Sequence, residues 1–126
     1  MHWQYSQSTG KLTFIGEEGP SAFILKGYAG HKEGVNNPNM QHVFRTGPLP
    51  QGKYTINRPY NHPRLGPFVM FLKPHPENEM FGRSAFYFHG DNSRGDRSAS
   101  WGCIIMNRNN REHLWNSGVH ELHVVA

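Results

Sequence analysis

A histidine and a cysteine flank a polar loop, in an order that could support nucleophilic catalysis. His89 ends an aromatic run, and Cys103, the single cysteine of the chain, begins an apolar segment. A free thiol with a pKa of about 8.5 is only a few per cent thiolate at neutral pH, so it needs a neighbouring base. An imidazole that accepts the proton supplies that base. The residues predict Cys103 as nucleophile and His89 as base, with a thiol that alkylates fast near neutral pH.

The residues just before Cys103 could stabilise the charge that develops on an attacked carbonyl. Gly102 permits a sharp turn and a close approach of substrate backbone. Consecutive N–H groups at such a turn can form an oxyanion hole, in which one donor is worth about 3 kcal/mol of barrier. We therefore expect the backbone N–H groups of Trp101, Gly102 and Cys103 to contribute to catalysis.

Each of these residues alone has a simpler explanation. A lone cysteine in an apolar segment is more often a core residue than a nucleophile. The ordered set His-Gly, polar loop, Ser-x-Gly-Cys-Ile is much rarer by chance. Asp91 is an alternative orienter of the His89 ring, although an aspartate after a glycine is more commonly a turn residue.

The sequence predicts neither a metal site nor any other cofactor. A zinc site built on His89 and Cys103 lacks a third and a fourth ligand. His120 and His123 are three residues apart in a predicted strand, where they point to opposite faces, whereas zinc proteases need two histidines four apart on a helix.

Short strands with frequent turns are expected to position these residues. The chain has 126 residues, 14 of them glycine and 9 proline, which predicts one domain over residues 1–126 and a mainly β class with one short helix. Residues 27–45 and 58–67 are expected to be loops. Strands are predicted at residues 2–7, 11–15, 22–26, 53–57, 68–73, 84–89 and 119–125, a short buried segment at 102–106, and the helix at 109–115.

The charge balance favours an anionic partner. The formal net charge is +4, which suits nucleic acid or a wall polymer rich in carboxylate or phosphate. The basic residues are mostly scattered singly, whereas a nucleic-acid footprint is usually a clustered patch. No signal peptide is visible at residues 1–10, and the apolar runs are far too short to span a bilayer.

The ordered set around the cysteine resembles the catalytic signature of L,D-transpeptidase (YkuD-type) domains, which is His-Gly, a loop, then Ser/Thr-His-Gly-Cys and an apolar residue. Here the matching residues are His89-Gly90 and Ser100-Trp101-Gly102-Cys103-Ile104. The chain is most similar to the compact branch delivered by type VI secretion as antibacterial effectors. Supporting segments are Gly47–Ile56, Gly82–Gly90, Tyr28-Ala29-Gly30 and Asn36-Asn37-Pro38.

The resemblance implies a mainly antiparallel β-sandwich and a metal-free acyl transfer on peptidoglycan stem peptides. Cys103 would attack the carbonyl of an L-centre, His89 would be the base and the Gly90 carbonyl would orient its ring. Ser100 would line the substrate cleft. The thioester would be resolved by water, by a D-amino acid or by a second stem. The implied setting is the periplasm of a target bacterium, with an immunity protein that covers the cleft in the producer.

Two positions depart from the family pattern. Trp101 replaces the second family histidine, and Ile105 stands where a basic or amide residue is common. Arg83, Arg108 or Arg111 could supply the missing basic group, and we expect Arg83 to contact substrate. The competing functions are a non-catalytic wall-binding module of the same fold and a basic nucleic-acid-binding domain.

Overall fold

The computed structural model describes residues 1–126 as a mainly β protein with one α-helix. The helix α1 spans Arg108–Asn116, and two short 3-10 helices span Lys32–Gly34 and Pro38–Met40. The strands are β1 (His2–Ser6), β2 (Lys11–Gly16), β3 (Gly19–Lys26), β4 (Tyr28–Ala29), β5 (Gly52–Ile56), β6 (Tyr60–His62), β7 (Gly66–Pro74), β8 (Phe86–His89), β9 (Ile104–Ile105) and β10 (Glu121–Val125). The predicted class is confirmed.

The strands form an open, mixed sheet in the order β3-β2-β1-β10-β5-β7-β8-β9-β4, and β6 pairs with β7 beside this path. Most neighbours are antiparallel, as expected, but β1 pairs parallel with β10 and β8 pairs parallel with β9. The β8–β9 pair can be parallel because the 90–103 segment is long enough to return the chain to the same end of the sheet.

Alternation along the central strands places one face of the sheet in the core. Trp3 and Tyr5 in β1 and Leu122 and Val124 in β10 are buried, whereas the residues between them are partly exposed. The helix packs Leu114 into the same core. A period of two with large apolar residues on one face is what such a sheet requires.

Two segments expected to be loops contain short strands. Residues 27–45 include β4 and both 3-10 helices, and residues 58–67 include β6 and the beginning of β7. Both segments are rich in glycine, proline and asparagine, so their pairing depends on distant neighbours and not on local propensity. No helix in the structure combines the length and the apolar character that a membrane crossing requires.

Candidate active site

The parallel pair β8–β9 brings the two predicted catalytic residues together. His89 is opposite Ile105, and Phe88 is opposite Ile104. The same register, continued by one residue, places Cys103 beside Tyr87. Side chains two apart on a strand share a face. Because His89 and Tyr87 are two apart, Cys103 and His89 project from the same face of the sheet.

Cys103 and His89 both line a cavity of about 470 Å³. Two adjoining cavities, of about 260 and 400 Å³, extend it past His89 on one side and past Cys103 on the other. Arg64 and Trp101 line all three cavities, which together form one cleft over the two predicted catalytic residues.

The residue Cys103 is partly exposed, and its thiol lies 3.8 Å from the carbonyl oxygen of Ala85, to which it donates a hydrogen bond. Burial raises the pKa of the Cys103 thiol to about 11, while the backbone N–H of Tyr87 and the Arg83 cation act in the opposite direction. This environment favours the protonated thiol at neutral pH. A thiol in this state is expected to alkylate slowly near neutral pH, which differs from the expectation drawn from the sequence.

The His89 ring is 4% exposed, and its Nδ1 lies 2.9 Å from the carbonyl oxygen of Gly90. A carbonyl only accepts, so this contact places the proton of the neutral ring on Nδ1 and leaves Nε2 free to take a proton. Burial lowers the pKa of His89, the Gly90 contact opposes this, and the Arg111 cation lowers the pKa further. A neutral imidazole in this tautomer is suited to act as a base.

Asp91 does not orient the His89 ring. Its carboxylate accepts hydrogen bonds from the Tyr28 hydroxyl and the Asn92 backbone N–H, both at 2.9 Å. The contact implied for Gly90 by the family resemblance is therefore the one present in the structure.

The structure corrects the expectations for Ser100 and Gly102. Ser100 is fully buried and does not line the cleft. Its hydroxyl donates to the Cys103 carbonyl oxygen at 2.6 Å and accepts from the N–H groups of Gly30 and Gly102, at 2.9 and 3.0 Å. The Gly102 N–H is therefore used inside the fold, and it is not a free oxyanion donor. Ser100 instead fixes the backbone that carries the thiol.

Position 102 requires a glycine, both because of its backbone conformation and because there is no room for a side chain. Its φ is +132°, in the region that favours glycine. A Cβ at this position would lie 2.7 Å from both Arg83 Nη2 and Phe86 Cε1. This close packing brings the Arg83 guanidinium directly against the segment that carries Cys103.

Trp101 is 53% exposed and forms a wall of the cleft. Its ring stacks on His31, with centroids 5.8 Å apart, and the Arg45 guanidinium carbon lies 5.1 Å from its centroid. The position at which L,D-transpeptidase domains carry a histidine thus presents an aromatic surface to the cleft here.

Arg83 has a different role from the substrate contact that the sequence predicts. The side chain is 5% exposed, so its guanidinium is a buried cation. It donates to four backbone carbonyls, those of Gln41, Gly47, Pro48 and Trp101. Arg83 also lines the cavity on the far side of Cys103, and its four hydrogen bonds tie the 41–48 loop to the segment before the thiol.

The other two arginines considered from the sequence are also engaged in the fold. Arg108 pairs with Glu112 at 2.6 Å across one turn of α1. Arg111 is buried and donates from Nη1 to the carbonyl oxygens of Pro67 and Phe68, at 3.0 and 2.8 Å. Its other terminal nitrogen packs behind Gly90, so α1 supports the loop that follows His89.

Sequence reasoning missed two exposed arginines of the cleft, Arg45 and Arg64. They lie in different loops, separated by β5 and β6, and each is a single basic residue without a motif. It also missed His62, whose Nδ1 accepts the N–H groups of Arg64 and Leu65, both at 3.1 Å, and whose ring packs on Tyr87. Only the fold brings these residues to the cleft.

Comparison with protein families identifies one family whose model matches most of the chain. The family model of the Tlde1 domain matches residues 24–126, a stretch that contains both His89 and Cys103. No curated protein matches the chain. With the match extending from β3 to the last residue, the chain belongs to the Tlde1 domain family, a family of type VI secretion effectors.

Proposed function

We propose that this domain is a cysteine-dependent acyltransferase that acts on peptidoglycan stem peptides, as an L,D-carboxypeptidase, as an L,D-transpeptidase with D-amino acid exchange, or as both. The observation that carries the proposal is the shared cleft of Cys103 and His89, in which Gly90 holds the imidazole with Nε2 free. Membership of an effector family supports a target that is essential to a competing bacterium.

The first half of the reaction forms a thioester. Cys103 Sγ attacks the carbonyl of the L-centre while His89 Nε2 takes the thiol proton. The tetrahedral intermediate then collapses, the carbon–nitrogen bond breaks and His89 returns the proton to the leaving amine. In the second half, water or the amine of a D-amino acid attacks the thioester with His89 as base, and the thiol is restored.

Backbone donors near the thiol would stabilise the oxyanion. The Gly102 N–H is already bound to Ser100, whereas the N–H groups of Trp101 and Cys103 form no backbone hydrogen bond. These two amides lie next to the nucleophile. We assign the oxyanion hole to them, because donors fixed by the fold need no reorganisation during the reaction.

The proposal includes an immunity protein as the partner in the producing cell. The cleft presents basic Arg45 and Arg64 and the exposed aromatic ring of Trp101. A blocking protein would match this surface with acidic and apolar residues, and opposite charge would speed its association.

Muropeptide analysis by mass spectrometry tests the proposed function. Purified muropeptides incubated with the wild-type domain should lose or exchange the residue after the L-centre, and Cys103→Ala should leave them unchanged. Thermal unfolding of Cys103→Ala provides the control for folding. Turnover at the wild-type rate by a folded Cys103→Ala protein would exclude the mechanism.

A further inference from the structure

Arg45 and Arg64 line the part of the cleft that contains the thiol of Cys103. Both line the cavity that contains Cys103 and His89, and both line the adjoining cavity on the other side of Cys103. The arginines come from loops on either side of β5 and β6, so the fold brings together two cations that are 19 positions apart in the sequence.

The guanidinium groups of these two arginines have no acceptor within the protein. Neither side chain forms an ion pair or a hydrogen bond, in contrast to Arg83, Arg108 and Arg111, which all donate to protein oxygens. Exposed arginines can be free for many reasons, but these two face a concave surface beside a candidate nucleophile. Their donors are available to a ligand in the cleft.

Aromatic packing holds one of the two guanidinium groups in place. The Arg45 guanidinium carbon lies 5.2 Å from the centroid of Phe44 and 5.1 Å from that of Trp101. Stacking on ring faces leaves the nitrogen edges open for in-plane hydrogen bonds. The backbone of Arg45 has a φ of +60°, a conformation that residues other than glycine rarely adopt. The fold thus maintains a strained residue whose side chain ends at the cleft.

The charge of the cleft specifies the ligand chemistry. No aspartate or glutamate lines either of the two cavities that contain Cys103. Asp91, the carboxylate that lines the adjoining cavity beside His89, accepts hydrogen bonds from Tyr28 and Asn92. Planar guanidinium groups without a protein partner match the two oxygens of a carboxylate.

We propose that Arg45 and Arg64 form a carboxylate-binding subsite that holds the free terminal carboxylate of the residue leaving from a stem peptide. The inference rests on the proposed function and names how the substrate is recognised. A terminal carboxylate lies one residue, about 3.8 Å between Cα atoms, beyond the bond that is broken. Arginines in the same cavity as Cys103 are therefore placed to hold the carboxylate while the thiol reaches the preceding carbonyl.

Calorimetric binding to the inactive Cys103→Ala protein separates recognition from chemistry. The ligands are a disaccharide tetrapeptide with a free terminal carboxylate and the same compound with a terminal amide. Arg45→Gln and Arg64→Gln should each weaken binding of the acid about ten-fold and of the amide less than about two-fold. Arg58→Gln is the matched control, because Arg58 is exposed and lies outside the cleft, and it should affect neither ligand.

Equal effects on the acid and the amide, or no effect beyond that of Arg58→Gln, would overturn the subsite while the proposed function stands. Absence of binding by Cys103→Ala together with absence of turnover by the wild type would overturn the proposed function and the subsite with it. In the active enzyme the subsite predicts a raised KM for the acid in both arginine variants.

Discussion

At the scale of single residues, burial disfavours the charged form of both candidate catalytic groups, the Cys103 thiol and the His89 imidazole. Burial raises the pKa of Cys103 to about 11 and lowers that of His89, so a preformed thiolate–imidazolium pair is disfavoured. In the proposed mechanism the proton therefore moves from Cys103 to His89 during the attack, which is general-base catalysis. This state also limits side reactions of the thiol with small electrophiles.

Alkylation of the protein without substrate reports the protonation state of the Cys103 thiol. The rate with iodoacetamide should rise about ten-fold per pH unit above neutrality, because the reactive thiolate remains a small fraction below its pKa. The rate should level off only near pH 11, the raised pKa of Cys103. Mass spectrometry of the protein over time measures the rate. A plateau already reached at pH 7 would show that the thiolate is preformed.

The decline of turnover at low pH should report the protonation of His89. Since burial lowers its pKa below the usual 6.5, the imidazole stays unprotonated, and activity should persist, at pH values somewhat below 6.5. His89→Gln should reduce kcat by roughly 10²–10⁴-fold, the usual contribution of a general base. The control is His113→Gln, which removes an exposed histidine of α1 and should leave the pH–rate profile unchanged. Loss of activity in His113→Gln instead would refute the assignment.

Residue types and order were enough to pair His89 with Cys103, because a strand end, a glycine and a lone cysteine form a local pattern. The contact between His89 and the Gly90 carbonyl was implied by the family resemblance. The role of Ser100 could not be predicted, since its partner Gly30 is 70 positions away. Arg45 and Arg64 carry no local signal at all. Their role depends on which loops meet at the cleft.

At the scale of the elements, the β8–β9 pair and the segments packed behind it determine where the thiol lies. The hairpin of β1 and β2 and the strands β5, β7, β8 and β10 were predicted close to their observed bounds, because each has an alternating or apolar run between turn residues. The strands β4 and β6 were missed. Each is only two or three residues long and is defined by its partner strand.

Arg83 connects these elements, and its replacement should destabilise the fold. Arg83→Gln should lower the free energy of unfolding by about 3 kcal/mol, because it leaves buried carbonyls without a donor. Urea denaturation measures the change. The matched control is Arg108→Gln, which removes an exposed ion pair within α1 and should cost less than about 1 kcal/mol. If both variants cost the same, Arg83 does not hold the 41–48 loop against the catalytic segment.

At the scale of the whole molecule, the order of the strands in the sheet could not be predicted from the sequence. The parallel pairing of β1 with β10 joins the two ends of the chain across 119 positions between Trp3 and Leu122. Nothing local specifies such a contact, because it forms only when the core on one face of the sheet is complete. The β class, in contrast, followed from turn frequency and alternation.

Toxicity should depend on the compartment in which the domain is placed. Expression with an added secretion signal in a Gram-negative host should cause swelling or lysis, because the proposed substrate lies outside the cytoplasmic membrane. Expression without that signal should be tolerated. Growth curves and microscopy measure both, with Cys103→Ala as the control. Equal toxicity in the two compartments, or toxicity of the Cys103→Ala protein, would mean that the wall is not the target.

The most direct test of the central claim is the detection of the acyl-enzyme. The wild-type domain is mixed with a stem tetrapeptide, quenched in acid within the first turnover, and analysed by intact-protein and peptide mass spectrometry. The account predicts a mass increase equal to the acyl part of the peptide, without its leaving residue, located on Cys103 and released by hydroxylamine. An adduct on another residue, or product formed at the wild-type rate by Cys103→Ala, would contradict it.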